Sequence, residues 1–534
     1  MKVITVHRIT GPHLLLRTPG AAIWLSDATE TELEIFTKRI HQLFEVLDWS
    51  AEVVVTPNDM GCSVAFSAPV DQLYVACSVL EWAVTKKELC ESIVQEIRAE
   101  EEENHSLREL YQSCVVNDIP CTVDEDGFFV GYGRYSQEHS LTQLPKWNAF
   151  PPVLKIPVVG ITGTNGKTTT TRMLASIARR AGFVVGMTSS DGVVIEGELV
   201  VEGDWTGAGA ARKVLRDPKV DFAILETARG GLMRRGMVIH DVDIVGITNV
   251  SPDHFGSWGI NSVRELQRAK LSIVYSLRQD GVLVLNQNDD DLIRLYQEEF
   301  APRCSVELCF FSLEKKDNSF AYCDQGVLYV DDQEICLLTD IPLTIGGHAA
   351  YNIENALLAS VLAYLQGMSI DDIRHGLCSL QANPTDSKGR SNIFSYHNSQ
   401  VIVDFAHNQA GIRATVHLVQ SMSPNRSFMI LGQAGDRDEI LLQGMAKEAA
   451  KLQCERYFIK HILKHNEDRS AEETASLLQR YLCAEGVKQE AILVCRDELE
   501  ATKEALAMLA EGDVLLLLSH THYEEVLCLL EEKS

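Results

Sequence analysis

The sequence predicts an α/β protein. It has a central domain on a parallel sheet, a smaller α/β domain after it and an α+β domain in front. Three observations carry that reading. Short, β-rich apolar runs at residues 156–161, 222–225, 244–247 and 282–285 alternate with stretches of helical pattern, the signature of a parallel sheet with crossover helices. After a break at 383–389 the alternation restarts, with apolar runs at 401–405, 428–431, 456–459, 491–494 and 514–518. Polar residues stand where runs stop (Thr162, Glu226, Asn249, Asn286 and Asp404), and open α/β sheets bind their ligands at the carboxyl ends of strands.

Each element follows in order. Residues 1–147 form the amino-terminal α+β domain, with a helical pattern from about residue 81 to 112. The acidic run at 100–103 reads as a solvated helix face. Prolines cluster at 144–152 and the pattern breaks, so a boundary is expected at 147/148. The central domain covers 148–384 and closes with helical stretches at 351–366 and 370–380. The segment 383–389 reads as a linker, and 385–534 forms the smaller, Rossmann-like domain.

Bulk properties narrow the function. A chain of 534 residues makes three or four domains at about 150 residues each. It is 46% hydrophobic and 23% charged, which is ordinary globular composition and excludes disordered, collagenous and disulfide-scaffold classes. With 48 Lys and Arg against 75 Asp and Glu, the net charge is −27, so no global attraction to nucleic acid or an anionic membrane is expected. The start, MKVITVHRITGPHLL, lacks the basic region and long apolar core of a secretory leader. No stretch approaches the about 20 apolar residues of a membrane span. The 14 cysteines include no CxxC pair, which fits buried thiols in a reducing cytoplasm.

The sharpest motif is TGTNGKTT at 162–169, where a buried strand runs into a glycine-rich turn that opens a helix. Gly163, Thr164, Asn165 and Gly166 let backbone N–H groups wrap phosphate oxygens, and the helix amino terminus adds positive partial charge. Lys167 reaches the terminal phosphates, Thr168 can hold Mg²⁺, and Thr169 continues the loop into the helix. The usual eight-residue spacing wants Gly at 161, where this chain has Ile161, so the match is to a variant of that loop.

A phosphate loop alone does not separate kinase, GTPase, ATPase and ligase; the next strand ends do. Glu226, in LETARGG, is an acid placed to bind or orient hydrated Mg²⁺. Asn249 opens NVSPDH, whose His254 could ligate a second metal with Asp253 orienting it. By itself His254 reads as a hydrogen-bonded structural histidine; beside Glu226 and the phosphate loop it reads as a ligand. Lys270, sixteen residues on, would by itself be a surface charge on a helix.

GTNGKT, the strand-end Glu, NVxxDH and a Lys about sixteen residues later resemble the Mur ligase family of ATP-dependent amide ligases. Within the family, residues 156–291 look like the carboxy-terminal ligase half of the cyanophycin-synthetase branch, through ITGTNGKTTTTR, TSSDGVVIEGELVVEGDWTG and ILETARGGLMRRG. Short segments at 8–12, 117–120 and 130–135 resemble the start of that branch, but its ATP-grasp module is absent between Tyr135 and the phosphate loop.

The resemblance implies ATP and Mg²⁺, two ions in the full pattern. It implies that Lys167 and Thr168 hold phosphates and metal, that Glu226 serves the first magnesium and His254 the second, and that Lys270 is the lysine carbamylated in some branches. Asn286 would read adenine. Asn352, in YNIEN, would sit on the adenine side, although Tyr351 stands where His is usual. Gly389 and Arg390 would open the lid domain, with Arg390 on the γ-phosphate or ribose. In DFAHN, Asp404 would hold the ribose hydroxyls while His407 and Asn408 face an acyl phosphate; Phe405 and Gln409 replace the usual Tyr and Pro. Gly435, Asp436 and Arg437 resemble the lid's GDR turn.

The expected reaction joins an amino acid to the carboxylate of an acidic amino acid or short peptide, with ATP going to ADP and phosphate. Its partners are small molecules, with no nucleic acid and no membrane, in the cytoplasm, as a homo-oligomer or in cooperation with a separate ligase. Two rivals stand beside it. One is a ligase turned nucleotide-dependent regulatory module, against which the retained Lys167, Thr168, Glu226, His254 and Lys270 count. The other is a P-loop small-molecule kinase, disfavoured by DFAHN and the second α/β domain.

Overall fold

The computed structural model describes residues 1–58, 61–85, 87–99, 104–146, 154–253, 255–256, 258–435, 437–463 and 469–531. The chain divides into two compact units: residues 1–250 with 256–310 and 365–367, and residues 251–255 with 311–364 and 368–534. The boundary expected at 147/148 and the acidic run at 100–103 lie outside the described residues, as do His254 and Asp436.

The first unit begins with β1 (Lys2–Ile9), β2 (Gly20–Ser26), α1 (Glu30–Leu47), β3 (Val53–Asn58), β4 (Gly61–Ser67) and α2 (Leu73–Val84). The strands form an antiparallel sheet in the order β1-β2-β4-β3. Phe36, Ile40, Leu43 and Phe44 recur along one face of α1 and are buried with Ile23, Val64 and Phe66 of the sheet. The single helical pattern expected over 81–112 is instead broken into the end of α2, α3 (Glu91–Arg98) and α4 (His105–Val116). Local caps beat the pattern. The Thr85 hydroxyl and N–H both return to the Trp82 carbonyl and stop α2, and the Asn104 side chain accepts from Leu107 N and starts α4. A small sheet of β5 (Cys121–Asp124), β6 (Gly127–Val130) and β7 (Gln137–His139) follows.

The phosphate loop joins β8 (Val158–Thr162) to α5 (Lys167–Arg180). Then come β9 (Val185–Ser189), β10 (Gly192–Ile195), β11 (Glu198–Glu202), α6 (Ala208–Arg216), β12 (Phe222–Glu226), α7 (Arg229–Arg235), β13 (Val242–Ile247), α8 (Val263–Leu271), β14 (Leu277–Asn286) and α9 (Asp290–Leu295). Their order in the sheet is β11-β10-β9-β12-β8-β13-β14. Strands β9, β12, β8, β13 and β14 are parallel, as the alternating pattern predicts. The antiparallel β10–β11 hairpin is an addition; Glu196 and Gly197, both at positive φ, supply its tight turn. Amino-terminal segments pack on this sheet within the same unit. The Tyr132 hydroxyl donates to Asp241 at 2.9 Å, and Thr10 N and Met237 N exchange bonds with Arg235 O and Pro12 O.

In the second unit, Phe311 and Ser312 of β15 (Glu307–Ser312) pair with β16 (Ala321–Asp324), and β17 (Val327–Val330) and β18 (Gln333–Leu337) continue antiparallel. Helices α10 (Ala350–Leu365) and α11 (Ile370–Ser379) fall where helical pattern was read. The expected linker at 383–389 carries a one-turn helix, α12 (Pro384–Ser387), because Asn383 caps Thr385 N and Asp386 N and Pro384 sits at its first position.

The remaining elements are β19 (Asn392–Tyr396), β20 (Ser399–Asp404), α13 (Gln409–Ser421), β21 (Ser427–Leu431), α14 (Glu439–Ala450), β22 (Arg456–Lys460), α15 (Ala471–Ala484), β23 (Ile492–Cys495), α16 (Glu498–Met508), β24 (Val514–Leu518) and α17 (Tyr523–Glu531). They form a doubly wound sheet in the order β19-β20-β24-β21-β22-β23, parallel except for β19. Both faces are buried, so its strands read as unbroken apolar runs such as VLLLL.

Candidate active site

Register brings the first group of candidate residues together. Glu226 lies opposite Ile161, and Ile247 opposite Thr162, so β8, β12 and β13 end at one level. The loop after β8 is therefore flanked by the ends of both neighbours. Thr164 N donates to Asn249 O at 2.8 Å, Asn165 N to Asn249 Oδ1 at 3.2 Å, and Asn249 Nδ2 back to Asn165 O at 3.0 Å. Thr248 Oγ1 adds a bond to Asn165 O at 2.7 Å. Gly163 has φ +146°, and a Cβ there would come within 1.8 Å of Thr248 Oγ1, so the close approach requires glycine. Gly166, at φ +84°, turns the chain directly into α5.

Thr168, at the start of α5, donates from Oγ1 to Glu226 Oε2 at 2.9 Å and lies 3.0 Å from Ser190 Oγ. Glu226 is 1% exposed, and Thr188 Oγ1 fixes its backbone carbonyl. Lys167 Nζ donates to Thr164 O at 2.9 Å, folded back along its own loop. Lys270, on α8, is no surface charge. It is 4% exposed, and its Nζ donates to Gly163 O at 2.6 Å. A capping box of Ser262 and Glu265 sets the start of that helix.

Hydroxyl and carboxylate oxygens side by side at a phosphate loop suit Mg²⁺, which takes one or two protein oxygens and completes its shell with water and phosphate. Among the described residues no three His, Cys, Asp or Glu side chains gather as a full protein cage. Thr168 and Glu226 are the residues that would hold such an ion. Thr169 is buried behind the loop, and Asn286, at the end of β14, accepts from Asn288 N and shapes its own turn.

The second group lies in the second unit. Asp404, at the end of β20, is buried. Its Oδ2 accepts from Ser391 N at 2.8 Å and Ser391 Oγ at 2.9 Å, and its Oδ1 from Ala406 N at 2.8 Å. Burial raises its pKa, opposed by Arg390 and these bonds. The carboxylate thus ties segment 389–391 to the strand end. The Arg390 guanidinium lies over the Phe405 ring at 4.6 Å from its centroid. Tyr351 extends the network, its hydroxyl 2.5 Å from Ser391 Oγ.

The His407 Nδ1 bonds the Phe405 carbonyl at 3.0 Å, so that nitrogen carries the proton and Nε2 faces Asp253 Oδ2 at 3.9 Å. Burial lowers the imidazole's pKa, with Asp253 pulling against it. Asn408 caps α13 through Gly411 N. Asn352 is buried, donating to Leu343 O and accepting from Asn355.

Two family models match the chain: the Mur ligase middle domain over residues 161–363, and the "Mur ligase, glutamate ligase domain" over residues 389–520. Between them they cover more than half of it. The chain belongs to the Mur ligase family. Cyanophycin synthetase of Crocosphaera subtropica is 35% identical over 389 residues, covering 69% of this chain and 43% of that protein. The chain therefore spans less than half the length of that curated relative. Crystallised MurF of Acinetobacter baumannii aligns with a TM-score of 0.52 at 18% identity, over 71% of this chain and 77% of its own. E. coli FolC, solved with DHPP and ADP, aligns with a TM-score of 0.51 at 20% identity, over 70% and 89%. These two likenesses show a shared fold.

In this Mur ligase chain the structure gathers Gly163 to Thr169, Glu226 and Lys270 around one loop, and Arg390, Asp404 and Tyr351 around Ser391. Sequence reasoning missed the residues that hold these groups in place. Thr248 and Ser190 are small hydroxyls in ordinary strand-end and turn contexts. Ser391 carries no motif. Lys460, the last residue of β22, and Glu498, the first of α16, form a buried pair but look like any helix-flanking charges in sequence.

Proposed function

We propose that the chain is an ATP-dependent ligase that joins the carboxylate of an acidic amino acid or short peptide to the amine of an amino acid. The observation that carries this is the contact of Thr168 Oγ1 with Glu226, 2.9 Å, together with the buried Lys270 of α8 that donates to Gly163 O of the same phosphate loop. A kinase or a GTPase also needs the first half of that arrangement. Family membership and the Asp404–Ser391–Tyr351 network in the second unit support the ligase.

In this reading a substrate carboxylate attacks the γ-phosphorus of ATP, the bond to the β-phosphate oxygen breaks, and ADP leaves. The amine then attacks the acyl phosphate, giving amide, phosphate and a proton. Lys167 swings from Thr164 O onto the β- and γ-phosphates, and the loop N–H groups hold them against the positive end of α5. Mg²⁺, held by Thr168 and Glu226, would supply charge neutralisation at the transferring phosphoryl group. We assign His254 to a second ion. Lys270 is assigned either as the ammonium that props Gly163 or, carbamylated, as an anion on the metal side. Asn286 and Asn352 are assigned to the adenine side, Arg390 to the γ-phosphate or ribose, Asp404 to the ribose hydroxyls, and His407 and Asn408 to the acyl phosphate.

The same reading gives three domains, 1–147, 148–384 and 385–534, small-molecule partners and a cytoplasmic site of action. Among the described residues no helix is long and apolar enough to cross a membrane.

The test is the full chain with Mg²⁺-ATP and a pool of amino acids and short acidic peptides. We expect ADP and phosphate in step with an amide product seen by mass spectrometry. Lys167→Ala should remove both while the circular dichroism spectrum stays unchanged. Intact ATP binding with no product from any pair would overturn the reading, and a phosphorylated small molecule would replace it with a kinase.

A further inference from the structure

A cavity of about 570 Å³ lies in the first unit, away from the phosphate loop, among segments 11–19, 68–70, 108–116, 238–240, 274–279 and 303–306. That volume is in the range of small-molecule sites, roughly 300–1,000 Å³. Its lining is unusual for this protein. The chain carries 75 acidic residues, yet no Asp or Glu lines the cavity, while Arg17, Arg108, Arg278, Arg303 and His240 do. The rest of the wall is mainly apolar, with six valines and a leucine.

The four arginines are not equivalent. Arg108 is neutralised by Asp71 at 2.6 Å and Arg278 by Asp243 at 3.2 Å, both carboxylates standing outside the lining. Arg17 and Arg303 have no carboxylate partner among the described residues. The Arg17 guanidinium lies over the Tyr275 ring, which itself stacks on Phe300 with centroids 5.2 Å apart. Burial lowers its pKa, the mark of a guanidinium taken from water without a full counter-charge. At the rim, Val115 is 39% and Val116 83% exposed, two adjacent valines at the end of α4 that leave apolar surface open to solvent.

Arg303 reaches the same Tyr275 side chain that Arg17 lies over, and both charges act on Cys304, so two guanidiniums without a carboxylate partner among the described residues share one part of an apolar-walled cavity and define a ligand by its chemistry. We propose that this cavity binds a small amphipathic anion, one carboxylate or phosphate head on an apolar body, with the head on Arg17 and Arg303 and the body along the valines. A bare inorganic anion would leave the apolar wall wet, and a neutral apolar molecule would leave the two charges uncompensated. A cationic ligand would meet like charge.

The test is isothermal titration of the full chain with octanoate, octyl phosphate, octanol, octylammonium and inorganic phosphate, each below its aggregation limit. Saturable one-to-one binding of octanoate or octyl phosphate is expected. Which of the two binds tighter distinguishes a carboxylate from a phosphate head. Octanol, octylammonium and inorganic phosphate should bind at least roughly tenfold more weakly, the loss expected for one charge-assisted contact or for the apolar body. Arg17→Gln and Arg303→Gln should each weaken octanoate roughly tenfold. Val116→Asp, at an exposed position that does not threaten folding, should do the same by placing a carboxylate at the mouth. The proposal is overturned if octanol binds as tightly as octanoate, or if Val116→Asp and Arg303→Gln, both folded by circular dichroism, leave octanoate affinity unchanged.

Discussion

After β8, at the start of α5, Lys167 donates to the carbonyl of Thr164 and has no carboxylate partner among the described residues. At the end of β22 stands Lys460, fully buried and paired with an equally buried Glu498, with Leu518 O as a further acceptor. Glu498 in turn gathers Ser519 Oγ, His520 N and Thr521 N at the end of β24. Both lysines stand on the carboxyl side of a parallel strand, Lys460 as the last residue of β22 and Lys167 at the start of the helix that follows β8, and ligands of such sheets collect there. A carbonyl offers a dipole and leaves most of the positive charge available to an incoming anion. A buried carboxylate cancels it and converts the pair into a girder for the loop that follows. In the proposed function, the difference separates a lysine that would meet a ligand from one that holds the fold.

The sharpest way to break this comparison is to remove each lysine. Lys460→Met leaves Glu498 charged and buried, at an expected cost of about 3–5 kcal/mol. For a unit of this size that lowers the melting temperature by roughly 10 °C. The double variant Lys460→Met with Glu498→Leu should recover only part of the loss, because the carboxylate also organises residues 519–521. Full recovery in urea unfolding would reduce the pair to a simple ion pair. Lys167→Met, in contrast, should change unfolding free energy by no more than about 0.5 kcal/mol while ATP-dependent turnover falls by roughly 10²–10³. If Lys167→Met destabilised the chain as Lys460→Met does, the distinction would fail.

Acid sharpens the comparison from the first unit's side. Burial lowers His13 to about 4 and His7 to about 3, with each other and Arg234 and Arg235 adding to the depression of His7. A histidine whose folded pKa is below its unfolded value of about 6.5 contributes stability that is present above that value. That stability is lost as pH falls toward the folded pKa. Between about pH 6.5 and 4 each histidine should therefore add up to about 1.4 kcal/mol per pH unit to the loss. Among the described residues the His7 ring nitrogens have no hydrogen-bond partner, and His7 packs against Trp24 and Trp258, so His7→Phe should keep the packing and flatten the slope. Urea unfolding at a series of pH values measures it; an unchanged slope would mean that His7 is not buried in its neutral form.

The legibility of the two regions follows the same division. The phosphate loop was readable because its chemistry needs fixed residue types at fixed spacing: two glycines for backbone approach, a lysine and a hydroxyl next to a helix start. Glu226 and Lys270 were readable only through order and spacing, and their burial confirms that neither is a surface charge. Helices 350–365 and 370–379 and the parallel strands were legible from apolar periodicity. The breaks inside 81–112 were not, because Thr85 and Asn104 act through single side-chain bonds that leave no period. The one-turn helix inside the expected linker at 383–389 was not legible for the same reason. Thr248, Ser190, Ser391 and the Lys460–Glu498 pair were invisible because their roles come from strand register, which sets neighbours far apart in sequence.

The smallest expected effect tests whether the second unit's site depends on a residue that departs from the family pattern. Ser391 Oγ donates to Asp404 Oδ2, so it can only accept from the Tyr351 hydroxyl, which must be the donor of the 2.5 Å bond. Burial pushes the Tyr351 phenol up, so it keeps that proton across the accessible pH range. Tyr351→Phe removes the donor without changing the ring and should cost about 0.5–1.5 kcal/mol in unfolding free energy. Its effect on turnover should exceed its effect on stability, because the segment it steadies carries Arg390 over Phe405. A rise in the ATP KM with unchanged kcat would place the loss in nucleotide binding. An equal fall in stability and none in kinetics would make Tyr351 a core residue that happens to touch Ser391.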